Sequence, residues 1–435
     1  MNVSDSERIA GFLELHKLKP VNDINKATIV VFNTCGVRQS AENRVYGLVH
    51  NLRKANSKVK IILTGCLANR KDVQRKLKNK VDLFFPISKF EKFENWIIEN
   101  CLPAQGWSAS GGKIDNCKLK IPARSDNTGC SNYLSITPKY TNPAQAFVPV
   151  MTGCNNFCSY CVVPYARGQE TSRPADDILS EIKELIKKGC KEIILLGQNV
   201  NSYHDGKIDF SALLKQVDAI PGLFWIWFVS SHPKDFTDEL ITTITKCQKV
   251  CECVHLPVQA GDDNVLKKMN RGYSAKHYLG LVDKIKKAFK KHKPGMPYSI
   301  ASDIIVGFPG ETKKQFMESA RVMEKTGYDM VYFGQFSPRP GTAAFKMKDN
   351  VAKHEKKRRE KYLNEILKKT ACQNNQKYLD KTLEIIVEKE KNGFYFGRTR
   401  TMKNVKFPSK KNLIGKFAKI KITKANIWSL EGEVA

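Results

Sequence analysis

Apolar runs and segments of helical periodicity alternate through the first part of the chain. The runs IVVF at 29–32 and IILT at 61–64 are short and continuous, which is typical of strands buried on both faces of a sheet. Segments with helical spacing flank them, including 39–55 and 68–77. The pattern predicts a doubly wound parallel sheet of the α/β class over residues 1–100, opened by a helix that Ser4 and Glu7 would start as a capping box.

The alternation stops between residues 101 and 145, where Gly, Ser, Pro and Asn replace the periodic apolar positions and predict a linker. It then resumes, with strands predicted at 147–151, 192–197, 223–229, 252–256, 298–306 and 329–335. Helical segments separate these strands, and a charged helix is predicted at about 352–376. The pattern predicts a partial (β/α)6 barrel over residues 146–370, with its chemistry at the C-terminal ends of the strands.

Over residues 371–435 the hydrophobic pattern becomes one of short strands separated by turns, which predicts a small all-β domain. The chain carries a formal net charge of +30, and residues 353–435 hold 22 Lys and Arg against nine Asp and Glu. This charge favours a polyanion such as nucleic acid, unless it only reflects lysines spread over solvated faces.

Four cations of this last domain alternate with aromatic residues and are the candidate RNA-binding residues: Arg398, Arg400, Lys403 and Lys406. Aromatic rings can stack on bases while cations contact phosphates. The alternative is that the aromatic side chains fill the core of a small barrel.

The composition also bears on the compartment. No run approaches 18 consecutive apolar residues and the start is polar, so neither a membrane span nor a signal peptide is expected and the cytoplasm is the predicted location. Thirteen cysteines in such a protein are expected to be reduced thiols or metal ligands rather than disulfides.

Cys154, Cys158 and Cys161 form a C-x₃-C-x₂-C pattern just past the first predicted barrel strand. Thiolates are the usual ligands of iron–sulfur clusters, and three on one loop can hold three irons of a [4Fe–4S] cluster and leave the fourth open. Buried structural thiols and a zinc site are the alternatives, although structural zinc requires a fourth ligand nearby.

The spacing of these cysteines, with an aromatic residue before the third, resembles the radical-SAM superfamily, whose members use S-adenosylmethionine (SAM). The longer string MTGCNNFCSYCVVPYARGQETSRP resembles the methylthiotransferase family, particularly its MiaB branch. Matching strings follow along the whole chain, among them NTCGVR (33–38), LLGQNVNSY (195–203), HLPVQAGDDNVLKKMNRGY (255–273), DIIVGFPGET (303–312) and SPRPGT (337–342). The tail, with GRTR (397–400) and SLEGEV (429–434), is similar to the RNA-binding TRAM domain.

The resemblance implies an enzyme with two [4Fe–4S] clusters. SAM at the open iron would be cleaved to a 5′-deoxyadenosyl radical that removes hydrogen from carbon 2 of an adenine, the second cluster would supply sulfur, and a second SAM the methyl group. The implied product is the 2-methylthio form of N6-isopentenyladenosine at position 37 of tRNA. The family also contains enzymes acting on threonylcarbamoyladenosine in tRNA or on a ribosomal-protein aspartate. A non-catalytic iron–sulfur tRNA-binding protein is the alternative of another class.

The implied partners are tRNA and an electron donor of the flavodoxin or ferredoxin type. The protein is expected to be a monomer without a membrane partner, and the sulfur source stays open.

The second cluster is matched only in part. Two of its three family cysteines correspond to Cys35 in NTCGVR and Cys66 in TGCLA. The first precedes a segment like MNVSDSE in the family, and this sequence begins at that methionine. Three explanations stay open: a natural start upstream that adds a leading strand and the cysteine, substitution by Cys101, Cys117 or Cys130, or a chain that lacks the sulfur-donating cluster.

Other motifs carry weaker expectations. Gly197, Gln198 and Asn199 follow the second barrel strand and are candidate SAM contacts, unless they form an ordinary turn. Residues 269–272 either line the pocket or cap a helix, and Thr312 is expected to be an N-cap. Arg339 lies in a proline-stiffened loop after the last strand and is a candidate contact to ligand or RNA.

Overall fold

The computed structural model describes residues 1–36, 39–101 and 132–435. Most of the predicted linker, with Cys117 and Cys130, lies outside these residues. The described chain divides into a smaller unit, Asn2–Lys139 with Tyr165–Arg167, and a larger unit, Met1 with Tyr140–Pro164 and Gly168–Ala435. Within the described residues no helix is both long and apolar enough to cross a membrane.

The smaller unit is built around a parallel sheet of order β1-β2-β3. Its elements are α1 (Asn2–Leu15), β1 (Ile29–Thr34), α2 (Gln39–Ala55), β2 (Lys60–Gly65), α3 (Lys71–Lys76), β3 (Leu83–Phe84) and α4 (Phe90–Cys101). Successive residues of β2 face opposite sides: Ile62 packs with α1 and α4, whereas Ile61 and Leu63 pack with α2 and α3. Helices on both faces confirm the predicted doubly wound α/β sheet.

The predicted capping box at the first helix is wrong. The helix begins at Asn2, so Ser4 lies inside it, and Ser4, Asp5 and Glu7 are all buried. Asp5 forms a buried ion pair with Arg167 of the same unit, with 2.5 Å between Oδ2 and Nη2. The polar residues of this first turn therefore serve packing rather than capping.

The larger unit begins with eight strands, of which six are parallel and follow one another in chain order, and two form a short antiparallel pair. Its elements up to the last of these strands are β4 (Gln145–Pro149), β5 (Met151–Thr152), α5 (Val163–Arg167, whose last three residues belong to the smaller unit), β6 (Thr171–Ser172), α6 (Ala175–Lys187), β7 (Glu192–Leu196), α7 (Phe210–Asp218), β8 (Trp225–Phe228), α8 (Asp238–Lys246), β9 (Cys253–His255), α9 (Asp263–Lys268), α10 (Ala275–His292), β10 (Ser299–Val306), α11 (Lys313–Thr326) and β11 (Met330–Gln335). β4, β7 and β8 form one sheet and β9, β10 and β11 another, joined by a parallel bridge between Ile226 and Val250. This arrangement confirms the predicted six-stranded partial barrel.

Side chains alternate between the two faces of these strands. Val254, Ile304 and Val331 point outward and join the main core under the surrounding helices. The opposite face, which we call the lumen, contains Ile194, Leu196, Trp225 and Trp227 in a separate apolar cluster. At the entry to α11, Thr312 and Gln315 form a capping box, which confirms the predicted N-cap.

A long helix, α12 (Lys353–Gln376), leads to a closed barrel of order β12-β13-β14-β16-β15. Its strands are β12 (Thr382–Lys391), β13 (Phe394–Thr399), β14 (Asn404–Pro408), β15 (Phe417–Ala425) and β16 (Ser429–Val434). The predicted small all-β domain is confirmed. Ile386 and Phe417 from this barrel join the apolar cluster of the lumen and so close the lumen at one end.

Candidate functional site

The three cysteines of the C-x₃-C-x₂-C pattern lie on the loop between β5 and α5, and we call residues 154–161 the cysteine loop. The amide of Cys154 donates to the carbonyl of Gly168, and that of Cys161 to the carbonyl of Cys158. Gly153 has φ +79°, and a Cβ there would lie 1.9 Å from the carbonyl oxygen of Gln169, so only glycine fits. The loop is thus tightly folded, with Cys154 and Cys158 buried and Cys161 half-buried.

Each of the three sulfurs accepts a hydrogen bond from an N–H group. The donors are the Asn156 amide side chain to Cys154 at 3.5 Å, Arg271 Nη1 to Cys158 at 3.3 Å and the Val163 backbone amide to Cys161 at 3.5 Å. Such donors favour the thiolate, which is the form that binds iron, and they tune the cluster that it holds. The donor chemistry of the cysteine loop therefore fits an iron–sulfur cluster.

Burial affects the protonation of Cys154. Burial raises the pKa of the Cys154 thiol, against the lowering effect of the N–H groups of Asn156. A metal ion must displace such a proton when it binds. Across the described residues, no three or more His, Cys, Asp or Glu side chains are close enough to hold a metal ion. The ligand role of Cys154, Cys158 and Cys161 therefore stays a prediction supported by the donor set.

Residues 269–272 hold the cysteine loop in place. The amide of Ser159 donates to the carbonyl of Met269 at 3.0 Å. The side chain of Asn270 donates to the carbonyls of Asn156 and Phe157 at 3.2 and 3.1 Å. Phe157 and Asn270 both have positive φ, 46° and 57°, conformations that cost free energy and concentrate at functional sites. The segment therefore supports the loop, besides ending α9 at Met269.

Arg271 belongs to the segment 269–272, which is predicted either to line the pocket or to cap a helix, but its contact with Cys158 was not predicted. Its side chain is almost fully buried and lies between Cys158, Tyr273 and the carbonyl of Pro257. Burial alone opposes its charge, yet Tyr160, Tyr273 and Cys158 together raise its pKa, so it stays a cation. A buried cation beside a thiolate stabilises the charge of that thiolate. No local pattern marks this role, because Arg271 and Cys158 are 113 positions apart.

Gly197, Gln198 and Asn199 lie directly after β7, as their motif predicts. A Cβ on Gly197 would lie 2.7 Å from Cγ of Met151, so the turn approaches β5 closely. Oε1 of Gln198 and Oδ1 of Asn199 are buried and accept no hydrogen bond from any described residue. Nδ2 of Asn199 donates to Asp235 at 2.7 Å, which fixes the amide. Two unsatisfied buried acceptors fit an N–H-bearing ligand, and the SAM contacts stay a prediction.

The segment after β8 has the same character. Ser230 has φ +68° although it is not glycine. Oγ of Ser231 and Nε2 of His232 are buried and make no hydrogen bond within the described part of the chain. Burial, with the charges of Arg271 and Lys234, lowers the pKa of His232 to about 2, so this ring is neutral at physiological pH.

Arg339 follows β11 in the predicted loop. It is buried, at 6% exposure, and its carbonyl accepts hydrogen bonds from the amide and the hydroxyl of Thr342 at 3.2 and 2.8 Å. These bonds hold the loop, and a contact from Arg339 to ligand or RNA stays a prediction.

In the smaller unit, Cys35 and Cys66 directly follow β1 and β2. The two strands pair Thr34 with Gly65, and the amide of Cys66 donates to the carbonyl of Thr34 at 3.0 Å. Both thiols thus lie at the carboxyl edge of adjacent strands, as their motifs predict. Their role as ligands of a second cluster stays a prediction, and Cys101 ends α4.

Three of the four predicted RNA-binding cations face carboxylates of the central barrel. The pairs are Arg398–Glu192 at 3.0 Å, Arg400–Glu252 at 2.7 Å and Lys403–Asp329 at 2.7 Å. These carboxylates lie at or directly before the first residues of β7, β9 and β11. All six side chains are less than about a fifth exposed. The pairs dock the small barrel on the strand starts, so RNA binding by these three residues stays a prediction that the contacts disfavour.

Lys406 differs from the other three. Its Nζ lies 3.9 Å from the centre of the Phe394 ring, which is 38% exposed. Trp428 of the same barrel is 41% exposed. A half-buried cation against an exposed aromatic ring, on a barrel that exposes a second ring, fits a single-stranded nucleic acid.

Known protein families match three segments of the chain. Residues 148–323 match the Radical SAM superfamily, residues 1–86 the uncharacterized protein family UPF0004, and residues 376–435 the TRAM domain. The central match contains the cysteine loop, and the last covers the closed barrel.

Curated relatives match over the full length. Proteins named tRNA-2-methylthio-N(6)-dimethylallyladenosine synthase from Clostridium botulinum (strain Langeland) and Syntrophomonas wolfei are 40% and 39% identical to the chain. The alignments cover 100% of this chain and 94% and 95% of those proteins.

Among solved structures, a radical S-adenosylmethionine methyltransferase, TsrM, from Kitasatospora setae superposes with a TM-score of 0.50 at 13% identity, over 78% of this chain and 66% of that one. This likeness concerns the fold alone. The match to full-length relatives at 40% identity decides the family: the chain belongs to the radical-SAM methylthiotransferases of the MiaB type.

Proposed function

We propose that this protein adds a methylthio group to carbon 2 of N6-isopentenyladenosine (N6-dimethylallyladenosine) at position 37 of tRNA. The observation that carries the proposal is the 40% identity, over the entire chain, to relatives named for this synthase activity. The hydrogen-bonded cysteine loop at the C-terminal end of the central barrel supports it independently, because that is where barrel enzymes place their chemistry.

The residues of the central barrel have separate tasks in this proposal. Cys154, Cys158 and Cys161 hold a [4Fe–4S] cluster, which supplies the electron for reductive cleavage of SAM. Arg271 donates a charged hydrogen bond to the Cys158 sulfur, and Asn270 holds the backbone of the loop. The buried acceptors of Gln198 and Asn199 are available for the N–H donors of SAM. His232 is neutral at pH 7. It therefore does not repel the positively charged sulfonium group of SAM.

The remaining parts serve sulfur transfer and RNA binding. Cys35 and Cys66 supply two ligands of a second cluster that donates sulfur. The exposed rings of Phe394 and Trp428, with Lys406, contact the RNA. The enzyme acts as a monomer in the cytoplasm, where tRNA and reduced thiols occur together, and takes electrons from a flavodoxin- or ferredoxin-type donor.

Mass spectrometry of tRNA nucleosides from a deletion strain tests the proposal. The methylthio form of isopentenyladenosine should disappear and isopentenyladenosine should accumulate. Complementation with Cys372→Ala, a half-buried thiol on α12, should restore the modification, whereas Cys158→Ala should not. Unchanged methylthio-isopentenyladenosine contradicts the proposal, and loss of methylthio-threonylcarbamoyladenosine instead would move the substrate to the other tRNA nucleoside.

A further inference from the structure

Three polar side chains share the lumen face of the last three barrel strands. Their outward neighbours Val254, Ile304 and Val331 belong to the main core, so His255 in β9, Asp303 in β10 and Tyr332 in β11 point into the lumen. Asp303 is directly opposite Tyr332 in the strand register, and His255 pairs with Ala301, two positions before Asp303. We call these three residues the lumen triad.

The triad is held together by its own contacts. Nε2 of His255 lies 2.9 Å from Oδ2 of Asp303, although its N–H does not point straight at that oxygen. Nδ1 of His255 accepts a hydrogen bond from the amide of Ser230 at 3.4 Å, which places the ring proton on Nε2. The rings of His255 and Tyr332 meet edge to face, with centroids 6.3 Å apart. His255 therefore lies directly against the Asp303 carboxylate on the lumen face.

Two members of the triad are accessible. The Asp303 side chain is 35% exposed, and Tyr332 is 52% exposed although it lies in the middle of a barrel strand. Within the described residues His255 contacts Oδ2 of Asp303, and Oδ1 makes no hydrogen bond. An exposed aromatic ring beside an exposed carboxylate, inside a barrel lumen, is an arrangement for a planar ligand that carries an N–H donor.

We propose that the lumen triad binds the target adenine of the RNA, with Tyr332 against the base and Oδ1 of Asp303 accepting its N6–H, and with His255 as a positioning residue. The inference rests on the proposed function and names its base-binding site. The adenine of SAM also carries exocyclic N–H groups. Arg271 donates both to the Cys158 sulfur and to the carbonyl of Pro257, two residues after His255. The triad and the cysteine loop therefore share one end of the barrel, and the SAM measurements below distinguish the two adenines.

The test combines protein variants with a changed base. Wild type, Asp303→Asn and Tyr332→Ala are supplied with anticodon stem-loop RNA carrying N6-isopentenyladenosine or its N6-methylated form, which has no N6–H. Asp283→Asn and Tyr362→Ala, both exposed on outer helices, are the matched controls. Affinity for SAM and reductive SAM cleavage without RNA are measured in parallel, and they also report that each variant is folded.

Wild type should modify the N–H base with a kcat/KM about 10- to 100-fold higher than the N-methylated base, as expected for a hydrogen bond to a charged acceptor. Asp303→Asn should shrink this preference at least about fivefold, because a neutral acceptor binds the N–H less strongly. Tyr332→Ala should raise KM for both RNAs by about 10-fold, from the loss of base stacking, and Tyr332→Phe should restore it. SAM affinity should not change in any variant.

The alternatives give different results. If the triad variants weaken SAM binding in the absence of RNA, the triad serves SAM and the inference is overturned. If wild type modifies the RNA and the variants keep its preference and KM, the triad has no role in base binding. If wild type modifies no RNA while it still cleaves SAM, the proposed function fails first, which is a distinct outcome.

Discussion

The two ends of the central barrel use the same strands and treat their polar groups in opposite ways. At the strand starts, Glu192, Glu252 and Asp329 each face a cation of the small barrel. Oε1 of Glu192 and Oδ1 of Asp329 make no hydrogen bond within the described residues, but both carboxylates are ion-paired. At the strand ends, Gln198, Asn199, Ser231 and His232 carry buried polar atoms without hydrogen bonds among the described residues. Non-glycine residues with positive φ also occur at the second end, at Phe157, Ser230, Gln259 and Asn270.

The difference indicates which end is structural and which is chemical. Paired charges at the strand starts stabilise the contact with the small barrel and leave little charge for a ligand. Unsatisfied acceptors and strained backbone lower stability and are retained where a ligand completes them. The barrel therefore separates docking from chemistry along its strands, as expected for this class of fold.

The largest effect on stability should come from the strand starts. Glu252 accepts from both Arg400 and Lys293 and is almost fully buried. Glu252→Ala leaves buried Lys293 and half-buried Arg400 without this partner, so the free energy of unfolding should fall by about 3–5 kcal/mol. Chemical denaturation measures this change. Glu184→Ala, which removes an exposed pair with Lys187, should leave stability unaltered, and an equal effect of both changes would contradict the assignment.

A substitution of Arg271 tests whether the strand ends carry the chemistry. Arg271→Gln removes the charged donor to the Cys158 sulfur, and reductive SAM cleavage should fall about 10- to 100-fold, as for other residues that support metal ligands. The measurement is the rate of 5′-deoxyadenosine formation together with iron per chain. Arg321→Gln, in an exposed pair with Glu318, is the control. Full activity and iron content in Arg271→Gln would show that the cysteine loop does not depend on this cation.

The lowered pKa of His232 should make the stability of the protein depend on pH. Its pKa is about 2 in the folded protein and about 6.5 when unfolded. Below pH 6.5 the unfolded chain therefore binds a proton that the folded chain does not, and stability falls as pH decreases, by about 2 kcal/mol at pH 5 from this residue. His232→Asn should lose less stability than wild type between pH 7.5 and 5. The exposed control His277→Asn should follow wild type, and identical curves for all three would refute the assigned burial.

The smallest expected effect concerns RNA binding by the small barrel. Lys406→Gln should reduce the slope of log K against log salt by about one, because one phosphate contact is lost. Arg400→Gln should leave this slope nearly unchanged and lower the melting temperature, because Arg400 pairs with Glu252. The reverse pattern in filter-binding titrations would assign RNA binding to the docking cations instead.

Elements with strong periodicity could be predicted from the sequence. Buried runs such as 192–196 and the helix over 353–376 coincide with predicted segments, because hydrophobic spacing determines them locally. The positions of the cysteine pattern and of Gly197–Asn199 after strands were predictable for the same reason.

Pairing between distant residues could not be predicted. Arg398 and Arg400 look like RNA ligands locally, but their carboxylate partners Glu192 and Glu252 are 206 and 148 positions away. His255 and Asp303 meet only when β9 and β10 align. The capping box predicted at the first helix was wrong for the same reason. Asp5 in that helix pairs with Arg167, which is far away in the sequence.

The most direct test of the account is reductive cleavage of SAM by anaerobically reconstituted protein, followed as 5′-deoxyadenosine. Wild type and Cys372→Ala should form it at equal rates, and Cys158→Ala should form none and should lose about four irons per chain. Cleavage by Cys158→Ala at the wild-type rate would contradict the claim that the cysteine loop is the reactive end of the barrel. So would a wild-type protein that holds iron and cleaves no SAM.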